Sequence, residues 1–84
     1  MNLLKQLPVA VQDIINEGFL FEEVILVGVA LGRNREVIAK FYKSEDYKDC
    51  IKKLRKEVEK EGLDEEYYKY FVFNRDLEIV FMLT

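Results

Sequence analysis

The 84-residue sequence has no histidine and only one serine, one threonine and one cysteine. Without histidine the chain lacks the commonest acid–base group near neutral pH, and with it most zinc, haem and serine–histidine arrangements. Ser44 stands where a helix would begin, which gives it a capping role, and Thr84 is the last residue. We therefore expect a protein without enzymatic activity.

Cysteine and acidic residues offer no other chemistry. The single Cys50 excludes an internal disulfide and lies on the apolar side of a predicted helix, so we interpret it as a buried small hydrophobe. Acidic pairs such as Asp13 with Glu17 have no spacing that defines a metal site, and we expect no metal and no cofactor.

Long apolar runs are also missing. The longest one, residues 24–31, is far shorter than the roughly 20 residues that cross a bilayer. No basic leader with a long apolar run follows Met1. These features predict a cytoplasmic protein with no membrane contact.

Hydrophobic residues make up 50% of the chain and charged residues 35%, which is typical of a folded domain and not of a disordered one. We expect residues 1–84 to form a single domain. A chain this short buries only a modest core, so association with a second copy would add to its stability.

The first half of the chain predicts a helix followed by a β-hairpin. Apolar residues recur at helical spacing up to Gly18, which we expect to end the helix in a left-handed conformation, while Pro8 marks either the start of the helix or a kink. Residues 24–31 and 36–43 are β-rich runs joined by a turn at 32–35.

Gly28, inside the first of these runs, suits a close approach of a helix or another backbone. Since Gly32 leads into a second strand and not into a helix, this segment is not a phosphate-binding loop.

The second half repeats the order. Ser44 predicts the N-cap of a helix that ends at Gly62, with an apolar stripe at helical spacing between them. Residues 67–73 and 77–83 predict a second hairpin with its turn at 74–76. The fold class is therefore α+β, in the order α-β-β-α-β-β, with two helices and a mainly antiparallel sheet of about four strands.

Both faces of the predicted sheet are apolar. Two helices are needed to cover one face of four strands, because packed helices lie about 8 to 10 Å apart and strands about 4.8 Å apart. The chain has only two helices, so either each face is covered incompletely by one helix or one face has none. In both cases we expect a sheet surface that meets a second copy or a partner. The candidate interface residues are Phe71, Phe73, Val80 and Met82.

Residues 33–43 are the only basic island, with four bases and one acid in a chain of net charge −3. A rigid hairpin with these charges could hold an acidic protein surface or phosphate groups, whereas the plainer interpretation is a solvated turn. The candidate partner-binding residues are Arg33, Asn34, Arg35, Lys40, Tyr42 and Lys43.

The aromatic run at residues 67–73 resembles strands on which single-stranded nucleic acids stack. Such strands lie in a basic field, but here three acids at 64–66 precede the run and Lys69 is its only base. We therefore favour an aromatic core or a protein interface.

Three functions remain open from the sequence. The first is a small homodimeric, non-catalytic interaction module that binds a larger protein partner, with inhibition as one mode of action. The second is nucleic-acid binding through the hairpin 33–43 and the sheet tyrosines. The third is a small-ligand site between the sheet and the helices.

Overall fold

The computed structural model describes residues 7–34 and 36–83. It has the predicted α+β order, and a short 3₁₀ turn at Glu65–Tyr67 precedes the third strand. The elements are α1 (Val9–Gly18), β1 (Leu26–Leu31), β2 (Val37–Tyr42), α2 (Tyr47–Lys60), β3 (Lys69–Phe73) and β4 (Ile79–Leu83). No helix in the described ranges is long and apolar enough to cross a membrane.

The four strands form one antiparallel sheet in the order β2-β1-β3-β4. The central strands are β1 and β3, where Val29 pairs with Ala39 of β2 on one side and with Phe71 on the other. The β3–β4 register shifts next to Val72, which leaves Val80 as the extra residue of a β-bulge. Since β2 and β4 end the strand order, they are the two edges of the sheet.

One helix lies on each face of the sheet. Of the two arrangements that the sequence allowed, the structure therefore has one helix on each face and not both on one face. Alternate residues of the central strands contribute to two separate cores, because successive side chains of a strand point to opposite faces. The core under α1 contains Leu7, Ile15, Phe19, Val24, Val27, Val29, Phe71 and Phe73. The core under α2 contains Leu26, Ala30, Cys50, Ile51, Leu54, Val58, Tyr68, Tyr70 and Val72.

The start of α1 is set by proline. The Pro8 carbonyl accepts hydrogen bonds from the backbone amides of Val11 and Gln12, so Pro8 begins the helix and does not kink it. The expected left-handed conformation at Gly18 is wrong, since among the described residues only Gly62 and Leu77 have positive φ. Gly18 is needed for space instead, because a Cβ atom there would collide with the Phe41 ring.

The start of α2 differs from the prediction by two residues. Its N-cap is Asp46, whose carboxylate accepts from the amides of Lys48 and Asp49, while Ser44 Oγ accepts from the Asp46 amide. A carboxylate directly before the first helical residue reaches these amides, and it also suits the positive end of the helix dipole. The predicted end is confirmed, with Gly62 at φ 77°.

Gly28 lies where the sheet and α2 come closest. A Cβ atom at this position would lie 3.1 Å from the Tyr42 ring and 3.2 Å from Leu54 of α2. The predicted close approach of a helix is confirmed.

Candidate interaction surfaces

The described basic residues of the β1–β2 hairpin, Arg33, Lys40 and Lys43, are spread along it and do not form one patch. Arg33 lies in the turn, whereas Lys43 follows the far end of β2. Six strand residues at about 3.4 Å each separate the two ends by roughly 20 Å. Arg35 lies outside the described residues.

Most of the described hairpin charges already have a partner within the chain. Lys40 Nζ lies 3.8 Å from Glu57 of α2, and Lys43 Nζ lies 3.9 Å from Glu23. The Arg33 guanidinium lies 4.4 Å from the ring centre of Tyr67. Asn34 is exposed beside it. The exposed ion pairs contribute little stability, so these cations remain accessible at small cost.

Tyr42 is half-buried and packs against the core under α2. Its ring packs against Gly28, and its hydroxyl is buried without a hydrogen-bond partner. Burial raises the pKa of Tyr42, with smaller contributions from the negative charges of Cys50, Glu57 and Asp49. The hydroxyl therefore stays protonated at neutral pH.

The sheet tyrosines do not form an exposed stacking surface. Tyr68 and Tyr70 are buried, and their hydroxyls donate to Glu36 Oε1 at 3.2 Å and to the Glu65 carbonyl at 2.6 Å. Burial raises the pKa of both. Tyr67 is exposed, but Arg33 covers its ring.

The four candidate interface residues divide into two groups. Phe71 and Phe73 are buried under α1, where they fill the chain's own core. Val80 and Met82 of β4 are exposed at 39% and 53%. Only the second pair lies where another molecule could reach it.

Strand β4 is an apolar edge. All five residues from Ile79 to Leu83 are apolar, and all but Phe81 are at least 38% exposed. Phe81 is stacked on Tyr47 of α2, with ring centres 5.1 Å apart. Proteins usually protect such edges with charged residues or proline, because unpaired strand groups invite another strand. In β4 only the bulge at Val80 interrupts the regular edge.

A second apolar surface lies at the opposite edge of the sheet, between the end of α1 and the end of β2. This α1–β2 groove has a volume of about 400 Å³. Its lining residues are Ile14, Glu17, Gly18, Phe21, Glu23, Val24 and Phe41. Phe21 is 63% exposed, and Leu20 beside it is 80% exposed.

Arg75, in the turn between β3 and β4, is hydrogen-bonded to the connection between α1 and β1, which contains Leu20 and Phe21. Its Nη1 donates to the carbonyls of Phe21 at 2.9 Å and Val24 at 2.7 Å, and its Nη2 donates to the Phe19 carbonyl at 2.8 Å. Sequence reasoning placed Arg75 only in a turn. The three carbonyl acceptors lie more than 50 residues away, and no local pattern indicates them.

The exposed side of α2 carries Lys48, Lys52 and Lys56 at four-residue spacing, together with Arg55. These four line a shallow depression together with acidic residues, and Arg55 pairs with Glu65 at 3.1 Å. The mixture of signs is typical of a solvated helix surface.

Within residues 7–34 and 36–83, no cluster of three or more acidic or cysteine side chains could hold a metal ion. Cys50 is buried, and burial raises the pKa of its thiol, which disfavours the reactive thiolate.

Comparison with known proteins gives no guide to the function. The chain has no significant match among protein-family models, curated proteins or solved structures.

Proposed function

We propose that this chain is a small, non-catalytic protein-interaction module that forms a homodimer by pairing β4 with β4 of a second copy. The observation that carries the proposal is β4 itself, an edge strand of five apolar residues with no charge and four exposed side chains. Pairing would join two four-stranded sheets into one of eight strands.

The strand is self-complementary in an antiparallel arrangement. Pairing about Phe81 sets Val80 opposite Met82 of the second copy, and the bulge at Val80 ends the regular ladder before Ile79. Every opposed pair is apolar, so no like charges meet across the new ladder. Alternate residues of an edge strand present their amide and carbonyl groups outward, and pairing satisfies them.

The interface should be of modest strength. A five-residue strand with its side chains gives a small contact, at the low end of the areas found for stable complexes. We therefore expect a dimer that dissociates on dilution. It should persist at high salt, because apolar contacts and backbone hydrogen bonds hold it together and charges do not.

The test is molar mass across a dilution series, by sedimentation equilibrium at low and high salt. Met82→Lys should raise the dimer dissociation constant at least tenfold, which corresponds to about 1.4 kcal/mol, because the ammonium would lie among apolar side chains. Met82→Leu is the matched control, since it keeps the strand apolar, and it should leave the dissociation constant unchanged. A wild-type chain that is monomeric at all concentrations would refute the dimer.

The two alternatives have less support. Nucleic-acid binding rests on the exposed Arg33–Tyr67 pair alone, because the described hairpin bases are spread apart and Tyr68 and Tyr70 are buried. A small-ligand site between sheet and helices has to compete with the helix side chains that fill both cores. Steep weakening of binding between 50 and 200 mM salt would favour the nucleic-acid function over the protein-interaction function.

A further inference from the structure

The α1–β2 groove lies at the opposite sheet edge from β4, and it needs an occupant of its own. We propose that it binds a basic segment of another protein, with one large apolar side chain in the groove and lysine or arginine residues beside its acidic rim. This surface lies on β2 and α1, so the inference does not depend on the β4 dimer.

The apolar part of the groove is suited to an anchor side chain. Phe21 and Phe41 provide aromatic surface, Ile14 and Val24 add aliphatic surface, and the volume of about 400 Å³ accommodates a large side chain with its neighbours. Leu20, the most exposed large apolar residue of the described chain, lies next to Phe21. Contiguous exposed apolar residues of this kind mark interaction sites more often than scattered ones do.

The groove is already formed in the folded chain. Because Gly18 has no side chain, the Phe41 ring can lie against the last turn of α1. On the other side Arg75 fixes the connection at residues 19–24 through the carbonyls of Phe19, Phe21 and Val24. A groove held in this way requires little ordering when a ligand binds.

The charge around the groove selects a basic ligand. Residues 9–24 contain four acids and no base. Two of the acids, Glu17 and Glu23, line the groove itself. Lys43 lies near Glu23 and Arg75 binds carbonyls of the connection, and these two cations set against the four acids of residues 9–24 leave a net charge of −2. This potential attracts lysine and arginine and repels nucleic acids and anionic lipid surfaces.

The experiment measures binding of a fluorescein-labelled amphipathic peptide of lysine, leucine and phenylalanine by fluorescence anisotropy. The same peptide with glutamate in place of lysine is the ligand control. We expect saturable binding of the lysine peptide and none of the glutamate peptide. Equal affinity for the two peptides would overturn the proposal.

Two variants test the groove directly. Phe21→Ser removes an exposed wall of the groove, and the double variant Glu17→Lys/Glu23→Lys reverses its rim. Each should weaken binding about tenfold or more. Glu59→Lys/Glu61→Lys, on the exposed end of α2, makes the same change in net charge away from the groove and should have less than a twofold effect. Equal weakening by both double variants would mean that only the overall charge matters, which would overturn the proposal.

Two further measurements keep this test separate from the dimer. Met82→Lys should bind the lysine peptide with the wild-type affinity, whether or not it dimerises. Backbone amide shifts in heteronuclear NMR spectra should change on peptide addition around residues 14–24 and at Phe41. Changes confined to β4 or to α2 would contradict the assignment, as would binding to anionic phospholipid vesicles that Phe21→Ser abolishes.

Discussion

Replacement of Arg75 should be costly although the residue lies in an exposed turn. Its guanidinium donates three hydrogen bonds of 2.7 to 2.9 Å to backbone carbonyls in the connection between α1 and β1. It also lies 5.8 Å from the ring centre of Phe19. Arg75→Ala removes these hydrogen bonds and the Phe19 contact, and with them the link that Arg75 makes between the β3–β4 turn and this connection.

The magnitude follows from the three bonds. At about 1 kcal/mol net for each bond, the gross loss is about 3 kcal/mol, and release of the ordered arginine side chain offsets about 1 kcal/mol of it. We therefore expect Arg75→Ala to lower the free energy of unfolding by about 2 kcal/mol. With a urea dependence of about 1 kcal/mol per molar for a chain of this size, the unfolding midpoint should fall by about 2 M.

Arg75→Lys provides the matched control. It keeps the charge, but a single ammonium group cannot reach three carbonyls in the fork geometry of the guanidinium, so we expect roughly half of the loss. Both variants would be compared with the wild type by urea unfolding at one fixed protein concentration. A loss below about 0.5 kcal/mol for Arg75→Ala, or full stability in Arg75→Lys, would refute the reasoning, since net hydrogen-bond contributions of this kind exceed that value.

Four other substitutions test the start of α2 and the core. Asp46→Ala should lower the free energy of unfolding by about 1 kcal/mol and Ser44→Ala by clearly less, measured by urea unfolding, because Asp46 caps α2. Gly28→Ala should cost about 1 to 3 kcal/mol in the same assay, because the added methyl group presses on Leu54 and Tyr42. Tyr42→Phe should leave stability at neutral pH unchanged or higher, since it removes a buried hydroxyl without a partner. The pKa of Tyr42 is raised in the folded state above the ordinary tyrosine value of 10.0. As pH rises above 10.0, the unfolded chain therefore loses the Tyr42 proton before the folded chain does, and the free energy of unfolding falls. The phenylalanine variant should accordingly lose less stability at alkaline pH.

The element order could be predicted because it depends on local pattern. Helical spacing before Gly18, alternation and β-branched residues in the strands, and the Gly62 stop are all properties of neighbouring residues. The shortage of helices also predicted correctly that the sheet would not be fully covered. One helix on each face leaves the edge strand β4 exposed.

Contacts between residues that are distant in sequence could not be predicted from local pattern. Gly18 was expected to provide a turn conformation, but what it provides is room for Phe41, which follows it by 23 residues. The basic island looked continuous in the sequence, yet Lys40 pairs with Glu57 and Lys43 with Glu23. Charge counts along a segment do not indicate which acids the fold brings beside it.

For the candidate sites too, local pattern predicted the alternation of side chains but not the contacts between distant segments. The alternation of β3 correctly separated Phe71 and Phe73 from Tyr70 and Val72, but it could not tell which face α1 would cover. The α1–β2 groove was not found, because it needs a helix end, a loop and an edge strand that meet only in the folded chain. Its one local signal is the apolar pair Leu20 and Phe21 directly before two acidic residues.

Site-directed disulfide formation between two copies tests the β4 dimer most directly. In the antiparallel pairing about Phe81, position 80 lies opposite position 82 of the second copy, with Cα atoms about 5 Å apart, which is within disulfide range. Cys50 is buried and does not compete. Mixing Val80→Cys with Met82→Cys should give a cross-linked dimer under mild oxidation, whereas each variant alone should cross-link much more slowly. A mixture that cross-links no faster than the separate variants would contradict the account.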